Sequence, residues 1–272
     1  MTSGVSNTTV YASESSFVMS NARLVALSRN AVNRQWSLES AIDWREPVVP
    51  PWWLPRKTYV AMVSQLYHGE VATMRMCRRL QSELPEPEAK RFLEIQYADE
   101  LRHAEAYRAY LERLGDIAPI NGAVATALEG GLAWSGSYHG VVVAFNVVLE
   151  GEAVMLQQKL SKMFPCPLFR QINARISHDE ARHVAFGKIY LHDKLGALPF
   201  DERIAVYRWV KGLWHVCADA NNGCRIVTSA IIRLGRRRIE EHWLKHRQTL
   251  IDIGLISREE AALVETGEAP AP

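Results

Sequence analysis

The chain has 272 residues, 48% of them hydrophobic and 23% charged, and its 32 basic and 30 acidic residues leave a formal net charge of +2. A chain of this length can bury a large core without disulfides or structural metals, and its near-neutral charge argues against a dedicated binder of nucleic acid or of membrane surfaces. The four cysteines form no Cys-x-x-Cys pair, which predicts free, buried thiols and a cytoplasmic protein.

The elements predicted in chain order are all helical, with no hairpin signal between apolar runs. Residues 1–20 are rich in Ser and Thr, which predicts a disordered segment. A short helix is expected over 21–35, and the Trp- and Pro-rich stretch 36–55 is expected to be non-helical. Four long helices are predicted over 56–82, 88–114, 137–164 and 168–195. Further helices are predicted over 123–132, 201–220, 224–250 and from 257 onward.

These elements predict one helical domain over residues 21–272, with a core bundle at about 57–195 and C-terminal helices at about 200–265. The longest apolar run, Val141–Leu149, is too short to span a bilayer, so no membrane partner is expected.

Two nearly identical strings recur 80 positions apart in the predicted second and fourth long helices. They read Asp99-Glu100-Leu101-Arg102-His103 and Asp179-Glu180-Ala181-Arg182-His183. A four-position match arises by chance about once in 10⁵ positions. A glutamate also precedes each string by 30 residues, Glu70 in the first case and Glu150 in the second. The chain therefore contains an internal duplication, in which each half has one helix with a glutamate and one with Glu-x-x-His.

These acidic and imidazole groups fall within apolar helix stripes, where a carboxylate carries a large desolvation cost unless something compensates its charge. Two divalent metal ions would compensate it, because Glu and His three residues apart on a helix can reach one ion. Four glutamates and two histidines form the ligand set of a carboxylate-bridged pair of metals in a four-helix bundle. The predicted ligands are Glu70, Glu100, His103, Glu150, Glu180 and His183.

One ligand remains ambiguous, because the third long helix is apolar on all sides and its pattern does not distinguish Glu150 from Glu152. The repeated offset of 30 favours Glu150, which leaves Glu152 as a rim or surface charge. An apolar pocket beside the metals is expected to be lined by Val143, Val147, Ala104 and Phe186.

The two Asp-Glu-x-Arg-His strings resemble those of the ferritin-like di-iron carboxylate proteins, over about residues 57–195. They are most similar to the oxygen-activating branch, which holds bacterial multicomponent monooxygenase hydroxylases, ribonucleotide reductase small subunits and the p-aminobenzoate N-oxygenase group. The resemblance implies a ferritin-like four-helix bundle with additional flanking helices. The extra histidine ligand of the N-oxygenase group would fall at Ile176, where this chain departs from the pattern of that group.

The resemblance also implies a network behind the ligands. Asp179 is predicted to contact His103 and Asp99 to contact His183, while Arg102 neutralises Asp179 and Arg182 neutralises Asp99. Tyr107 occupies the position that resembles the radical tyrosine of reductase small subunits. A buried, hydrogen-bonding tyrosine is the favoured alternative.

The function predicted from these residues is a di-iron enzyme that uses O2 to oxidise or oxygenate a small organic substrate, by hydroxylation, N-oxygenation or oxidative cleavage. Mn/Fe is an alternative to Fe/Fe, since the same ligands suit both. The partners expected are a ferredoxin or reductase as electron donor and a second copy in a homodimer. Alternatives are a radical-generating subunit similar to the ribonucleotide reductase small subunit, a ferroxidase or iron-binding protein, and, from a basic stretch at 233–247, a tRNA-modifying enzyme.

Overall fold

The computed structural model describes residues 7–222 and 229–266, with side chains described over 20–218 and 240–266. All regular elements in these ranges are helical, so the all-α prediction is confirmed. The helices are α1 (Asn7–Asn33), α2 (Leu38–Ala41), α3 (Arg56–Glu83), α4 (Pro87–Glu112), α5 (Gly122–Leu132), α6 (Tyr138–Val142), a π-helical segment (Val143–Leu149), α7 (Glu150–Met163), α8 (Pro167–Leu191), a 3-10 turn (Leu195–Ala197), α9 (Phe200–Asn222), α10 (Ser229–Asp252) and α11 (Arg258–Thr266).

The central bundle consists of α3, α4, the interrupted helix α6–α7, and α8. Helix α3 packs on α4, α7 packs on α8, and α4 also contacts α8. Helix α1 covers α4 and α8 from one side, while α9 packs against α5, α10 and the π-helical segment. The additional helices therefore flank a four-helix core, as the sequence predicts.

A polar layer divides the core into two apolar clusters along the bundle axis. One cluster contains the second half of α3 and the first turns of α4, with Met76 and Phe92 among its members. The other contains the first half of α3 and the end of α4, with Val63 and Tyr110 among its members. Each helix is therefore apolar, then polar, then apolar, and the polar side chains of four helices meet at one level. That level is the candidate site.

The third long helix is interrupted where the sequence predicts a continuous helix over 137–164. Its π-helical segment ends at Leu149, and α7 begins at Glu150. A π-helical turn adds a residue to the turn and shifts the direction of every following side chain relative to an α-helical period. The 3.6-residue stripe therefore could not predict which glutamate of this helix faces the bundle interior.

Close packing of α8 against the π-helical segment depends on Gly187. A Cβ atom there would lie 2.8 Å from the Cβ and 3.3 Å from the carbonyl carbon of Asn146. We expect Gly187→Ala to lower the free energy of unfolding by about 1–3 kcal/mol, because the backbone of the segment must move. Urea denaturation tests this, with Gly212→Ala as the control because a Cβ atom there would meet nothing within 4 Å. The free energy of unfolding of Gly212→Ala should rise by about 0.5–1 kcal/mol. Equal effects of the two substitutions would contradict it.

Two features near the N-terminus differ from the predictions. Helix α1 begins at Asn7, so residues 7–20 are helical where disorder is predicted, because adding residues to an existing helix is far less costly than nucleating one. Residues 1–6 lie outside the described part. The one-turn helix α2 lies in the stretch predicted to be non-helical; it precedes Pro47 and is capped by Ser37, whose side chain accepts from the Ser40 N–H.

By length and composition alone, one helical stretch among the described residues, Tyr138–Met163, could cross a membrane. Its most apolar window has a mean hydropathy of 1.5, and 56% of that window is buried inside the fold. This stretch contains the π-helical segment and carries Glu150 into the polar layer. Such burial is typical of the core helix of a bundle.

Candidate dinuclear metal centre

Six side chains of the polar layer form two overlapping groups of potential metal ligands. One group is Glu70, Glu100, His103 and Glu180, and the other is Glu100, Glu150, Glu180 and His183. Within each group the ligand atoms lie within 4.8 Å of one another, and all six side chains are buried. The structure therefore brings together all six predicted ligands, with Glu100 and Glu180 shared between the two groups.

Unpartnered atoms in this cluster fit a pair of bound cations. Glu100 Oε2, Glu150 Oε2 and His103 Nδ1 are buried and make no hydrogen bond. Buried polar atoms without partners are costly and rare, and carboxylate oxygens facing one another are costlier still. Carboxylate and imidazole donors suit iron and manganese. The donor set and its free atoms thus match two such ions, with Glu100 and Glu180 as the shared carboxylates.

Both imidazoles turn the same ring nitrogen towards the cluster. Nδ1 of His103 lies 3.4 Å from Glu180 Oε1, and Nδ1 of His183 lies 3.0 Å from Glu100 Oε1. The other nitrogens face aspartates: His103 Nε2 is 3.0 Å from Asp179 Oδ2, and His183 Nε2 is 3.3 Å from Asp99 Oδ2. Both predicted Asp–His contacts are therefore present. An Nε2–H that donates to Asp leaves the Nδ1 lone pair free for a metal.

Each arginine contacts the predicted aspartate of the partner helix and also the aspartate of its own helix. Arg102 Nη2 lies 2.5 Å from Asp99 and 3.1 Å from Asp179. Arg182 forms its shortest contact with Asp179 and lies 3.6 Å from Asp99. The contacts within one helix arise because residues three apart on a helix are neighbours, so each arginine lies between the two aspartates.

Two residues before α2 complete this network and were not predicted to take part in it. Trp36 Nε1 donates to Asp179 Oδ2 at 2.8 Å, and Gln35 Nε2 donates to Asp99 Oδ1 at 2.8 Å. The Arg102 guanidinium also lies 4.8 Å from the centre of a Trp36 ring. Sequence patterns could not reveal these contacts, since both residues follow the end of α1 and meet partners 64 and 143 positions away.

The protonation of the metal-free cluster follows from its burial and crowding. Burial and the Glu180 carboxylate raise the pKa of Glu70 well above its ordinary value, and burial does the same to the pKa of Glu150. Burial opposes the charge of Glu100, but contacts with His183 and His103 hold its pKa below its ordinary value. Burial likewise opposes protonation of the two histidines, but their carboxylate neighbours raise both imidazole pKa values well above normal. Without metal, protons balance part of the anionic charge.

Glu150 and Glu152 have different environments. The Glu150 carboxylate belongs to the cluster, with Oε2 3.9 Å from His183 Nδ1. Glu152 points to α9 and α10, where His246 Nε2 lies 3.0 Å from its Oε2 and Trp214 Nε1 donates at 3.4 Å. The choice of Glu150 agrees with this geometry. Glu152 is 19% exposed and its partner His246 is buried, so Glu152 lies at the rim of the cluster and not at the open surface.

Tyr107 is fully buried beside the cluster, and its hydroxyl donates to Asn173 Oδ1 at 2.8 Å. Burial and the Glu70 carboxylate raise its pKa well above the ordinary value. No carboxylate of the described residues accepts a hydrogen bond from it. The geometry therefore matches the buried, hydrogen-bonding tyrosine.

A cavity of about 110 Å³ lies against the cluster, between α3, α5, α7 and α9. Glu70, Glu150 and Glu180 form one wall, and most of the remainder is apolar. The four residues expected to line it are absent from its walls; Val143, Val147, Ala104 and Phe186 pack in the core instead. For Val143 and Val147 the expectation is wrong because the π-helical segment changes the helical phase, and Phe145 and Leu149 line the cavity in their place. The half-buried thiol of Cys217 also lines it, while Cys77 and Cys166 are buried; Cys224 lies outside the described residues.

Substitution of Asp179 tests the support behind His103. In Asp179→Asn an amide replaces a carboxylate that accepts from His103, Trp36 and both arginines. We expect metal affinity to fall about 10–100-fold and stability to fall by up to about 3 kcal/mol, because each of the two arginines loses one of its two carboxylate partners. Metal titration and urea denaturation check both. The exposed Asp252→Asn on α10 is the control, and an Asp179→Asn variant that behaves like it would refute the role.

Comparison with known proteins shows the class of fold. No protein-family model matches the chain, and no curated protein matches it. Solved structures of an R2-like ligand-binding oxidase do match. One, with an aerobically reconstituted Mn/Fe cofactor, has a TM-score of 0.62 at 18% identity and covers 86% of this chain and 93% of its own. A Tyr-to-Phe variant with the same type of cofactor has a TM-score of 0.61 at 15% identity and covers 83% of this chain and 92% of its own.

A third structure, an Ala-to-Phe variant with an anaerobically reconstituted Mn/Fe cofactor, has a TM-score of 0.57 at 17% identity and covers 92% of this chain and 94% of its own. Identities this low establish the shared fold. The chain therefore has the ferritin-like helical fold of these R2-like proteins.

Proposed function

We propose that this protein is an O2-dependent oxidoreductase with two bound metal ions, Fe/Fe or Mn/Fe, that oxidises a small organic molecule. The observation that carries the proposal is the pair of overlapping ligand groups, which share Glu100 and Glu180 and leave buried donor atoms without partners. The Mn/Fe cofactor of the structural neighbours supports the choice of metals.

The bound ions would supply the Lewis acidity and the redox chemistry needed to activate O2, with the net electrons coming from the substrate or a donor protein. The protein contributes the rest of the site. Glu70 and His103 would hold one position, Glu150 and His183 the other, and Glu100 and Glu180 would bridge the two. Asp179 and Asp99 fix the imidazole rings so that Nδ1 faces the cluster. Two apolar clusters above and below exclude water from it.

The cavity beside the carboxylates would hold the substrate. Its walls are mainly apolar, and its volume of about 110 Å³ is smaller than the roughly 150 Å³ apolar cavity that takes up benzene in another protein. We infer a compact and largely apolar substrate whose reacting carbon or nitrogen lies next to Glu70 and Glu150. Monooxygenation and dehydrogenation are both chemistries that such a site can perform.

Metal analysis of protein purified without chelator tests the proposal. We expect about two iron or manganese ions per chain. After anaerobic loading with ferrous iron, exposure to O2 should consume O2 and produce an optical change whose decay is accelerated by an accepted substrate among amines, aromatics and fatty acids. A metal content near zero after such loading would refute the metal centre, and two metals without O2 consumption would refute the oxidase.

A cavity variant separates substrate binding from metal binding. Ala153 lines the cavity but belongs to neither ligand group. We expect Ala153→Phe to fill much of the space and to weaken substrate-dependent O2 consumption by at least about 10-fold, while two metals still bind. The exposed Ala174→Phe on α8 is the matched control. Unchanged turnover in Ala153→Phe would place the substrate elsewhere.

Electrons for the reaction would come from the substrate itself or from a ferredoxin- or reductase-type donor protein. We further propose that the protein acts in the cytoplasm as a homodimer. The described cysteines, which are free thiols, support a reducing compartment.

A further inference from the structure

Two buried side-chain amides lie at one end of the carboxylate cluster. Gln96 is on α4, one turn before Glu100, and Asn146 is in the π-helical segment; both are 0% exposed. Gln96 Nε2 donates to Glu150 Oε1 at 2.6 Å and to Glu100 Oε1 at 3.2 Å, and its Oε1 accepts from Asn146 Nδ2 at 3.0 Å. Asn146 therefore fixes the orientation of the Gln96 amide, with the NH2 group towards the carboxylates.

The two oxygens of the Glu150 carboxylate have different environments. Oε1 is occupied by the Gln96 amide, while Oε2 is buried and has no hydrogen-bond partner. A metal at this position would meet one free oxygen of a carboxylate that is already held in place. Less conformational freedom remains to be lost on binding, which favours affinity.

The opposite position lacks this support. The Glu70 carboxylate has no amide donor among the described residues, and its one basic neighbour is His103, whose Nδ1 is 3.6 Å away. The internal duplication is broken at the same point, since the residue 80 positions after Gln96 is Ile176. Ile176 is buried in the apolar cluster and can donate no hydrogen bond. The two halves therefore differ in the support behind their terminal glutamates.

We propose that Gln96, held by Asn146, is a positioning residue that makes the two metal positions inequivalent. It preorganises the Glu150/His183 position as the tighter one, while the Glu70/His103 position has no matching amide donor among the described residues. The inference rests on the proposed function, because it assumes that the cluster binds two ions. The longer bond to Glu100 affects both positions alike, so the selective effect acts through Glu150.

The test measures Mn²⁺ binding to the full chain without turnover. The protein is freed of metal, titrated with Mn²⁺ under argon, and free Mn²⁺ is counted by electron paramagnetic resonance. His103→Ala leaves the Glu150/His183 position to be measured, and His183→Ala leaves the Glu70/His103 position. Gln96→Ile, which copies the residue of the other half, is then added to each. We expect Gln96→Ile to lower the Mn²⁺ affinity about 10–100-fold in the His103→Ala background and less than about 3-fold in the His183→Ala background.

Two further variants keep the result interpretable. Asn146→Leu should weaken the same position by a smaller factor, and the double variant Gln96→Ile/Asn146→Leu should be no weaker than Gln96→Ile alone, because the two amides act in series. Ile176→Val controls for a general disturbance of the core and should leave both affinities unchanged.

Equal losses in both backgrounds, or no loss in either, would overturn the inference. If Gln96→Ile does not fold, the same comparison of Mn²⁺ affinity in the two histidine backgrounds is made with Asn146→Leu. Fewer than two ions bound by the unsubstituted chain after loading with Fe²⁺, or with Mn²⁺ and Fe²⁺ together, would instead refute the metal pair of the proposed function, which is a separate outcome.

Discussion

Glu100→Ala should remove the metal pair. Glu100 belongs to both ligand groups, and its Oε1 lies 3.0 Å from His183 Nδ1 while its Oε2 lies 3.5 Å from His103 Nδ1. Loss of residues that only support ligands typically lowers metal affinity 10–100-fold, so loss of a shared ligand should exceed about 100-fold. We expect fewer than about 0.2 metal ions per chain after desalting, and no O2 consumption above background.

The exposed Glu105→Ala on the same helix is the matched control, and it should bind two ions as the unsubstituted protein does. A Glu100→Gln variant separates loss of ligation from misfolding, because it keeps the side-chain volume and removes a buried charge. Its metal-free form should still unfold cooperatively but at a lower temperature than the unsubstituted protein, because contacts with His183 and His103 hold the pKa of the Glu100 carboxylate below its ordinary value and the amide leaves both imidazoles without that charge. Two bound metals in Glu100→Ala would remove Glu100 from the site.

Metal loading should release protons, and apparent affinity should rise steeply with pH. In the metal-free cluster the pKa values of Glu70 and Glu150 lie well above 4.5, and those of His103 and His183 well above 6.5. All four groups must lose their protons to bind metal. We expect up to about four protons released per metal pair near neutral pH. Calorimetric titration in buffers of different ionisation enthalpy measures this number.

The same shifts set the pH dependence of stability without metal. The folded chain binds more protons than the unfolded chain, so stability falls as pH rises, from about pH 4.5 for the two glutamates and from about pH 6.5 for the two histidines. The slope is at most about 1.4 kcal/mol per pH unit for each proton. Bound metal should abolish this loss. Release of less than about one proton per pair, or metal-free stability that rises between pH 6 and 8, would contradict the prediction.

Much of the fold could be predicted because its signals are local. Periodic stripes with Pro and Gly boundaries placed α3, α4 and α8 to within a few residues of their observed ends. The repeated strings and the constant offset of 30 brought together six residues that the structure places in two overlapping groups. The six residues meet because a helix has a fixed period, which puts Glu and His three positions apart on one face; that they bind metal stays a prediction.

The errors arose where the chain departs from a regular period. The π-helical segment changes the phase before Glu150, so the cavity walls were assigned to the wrong residues. The contacts of Gln35, Trp36 and Gln96 join segments that are far apart in sequence. No local pattern encodes such contacts.

The sequence by itself determined the helical class and the set of acidic and imidazole residues in the polar layer, because repeat spacing and stripe composition are properties of single helices. Only the tertiary structure decided which oxygen of Glu150 is free, which side of the cluster opens to a cavity, and that one half has an amide support where the other has Ile176. These features depend on how side chains from different helices meet. The close packing of the core fixes the distances and directions between those side chains.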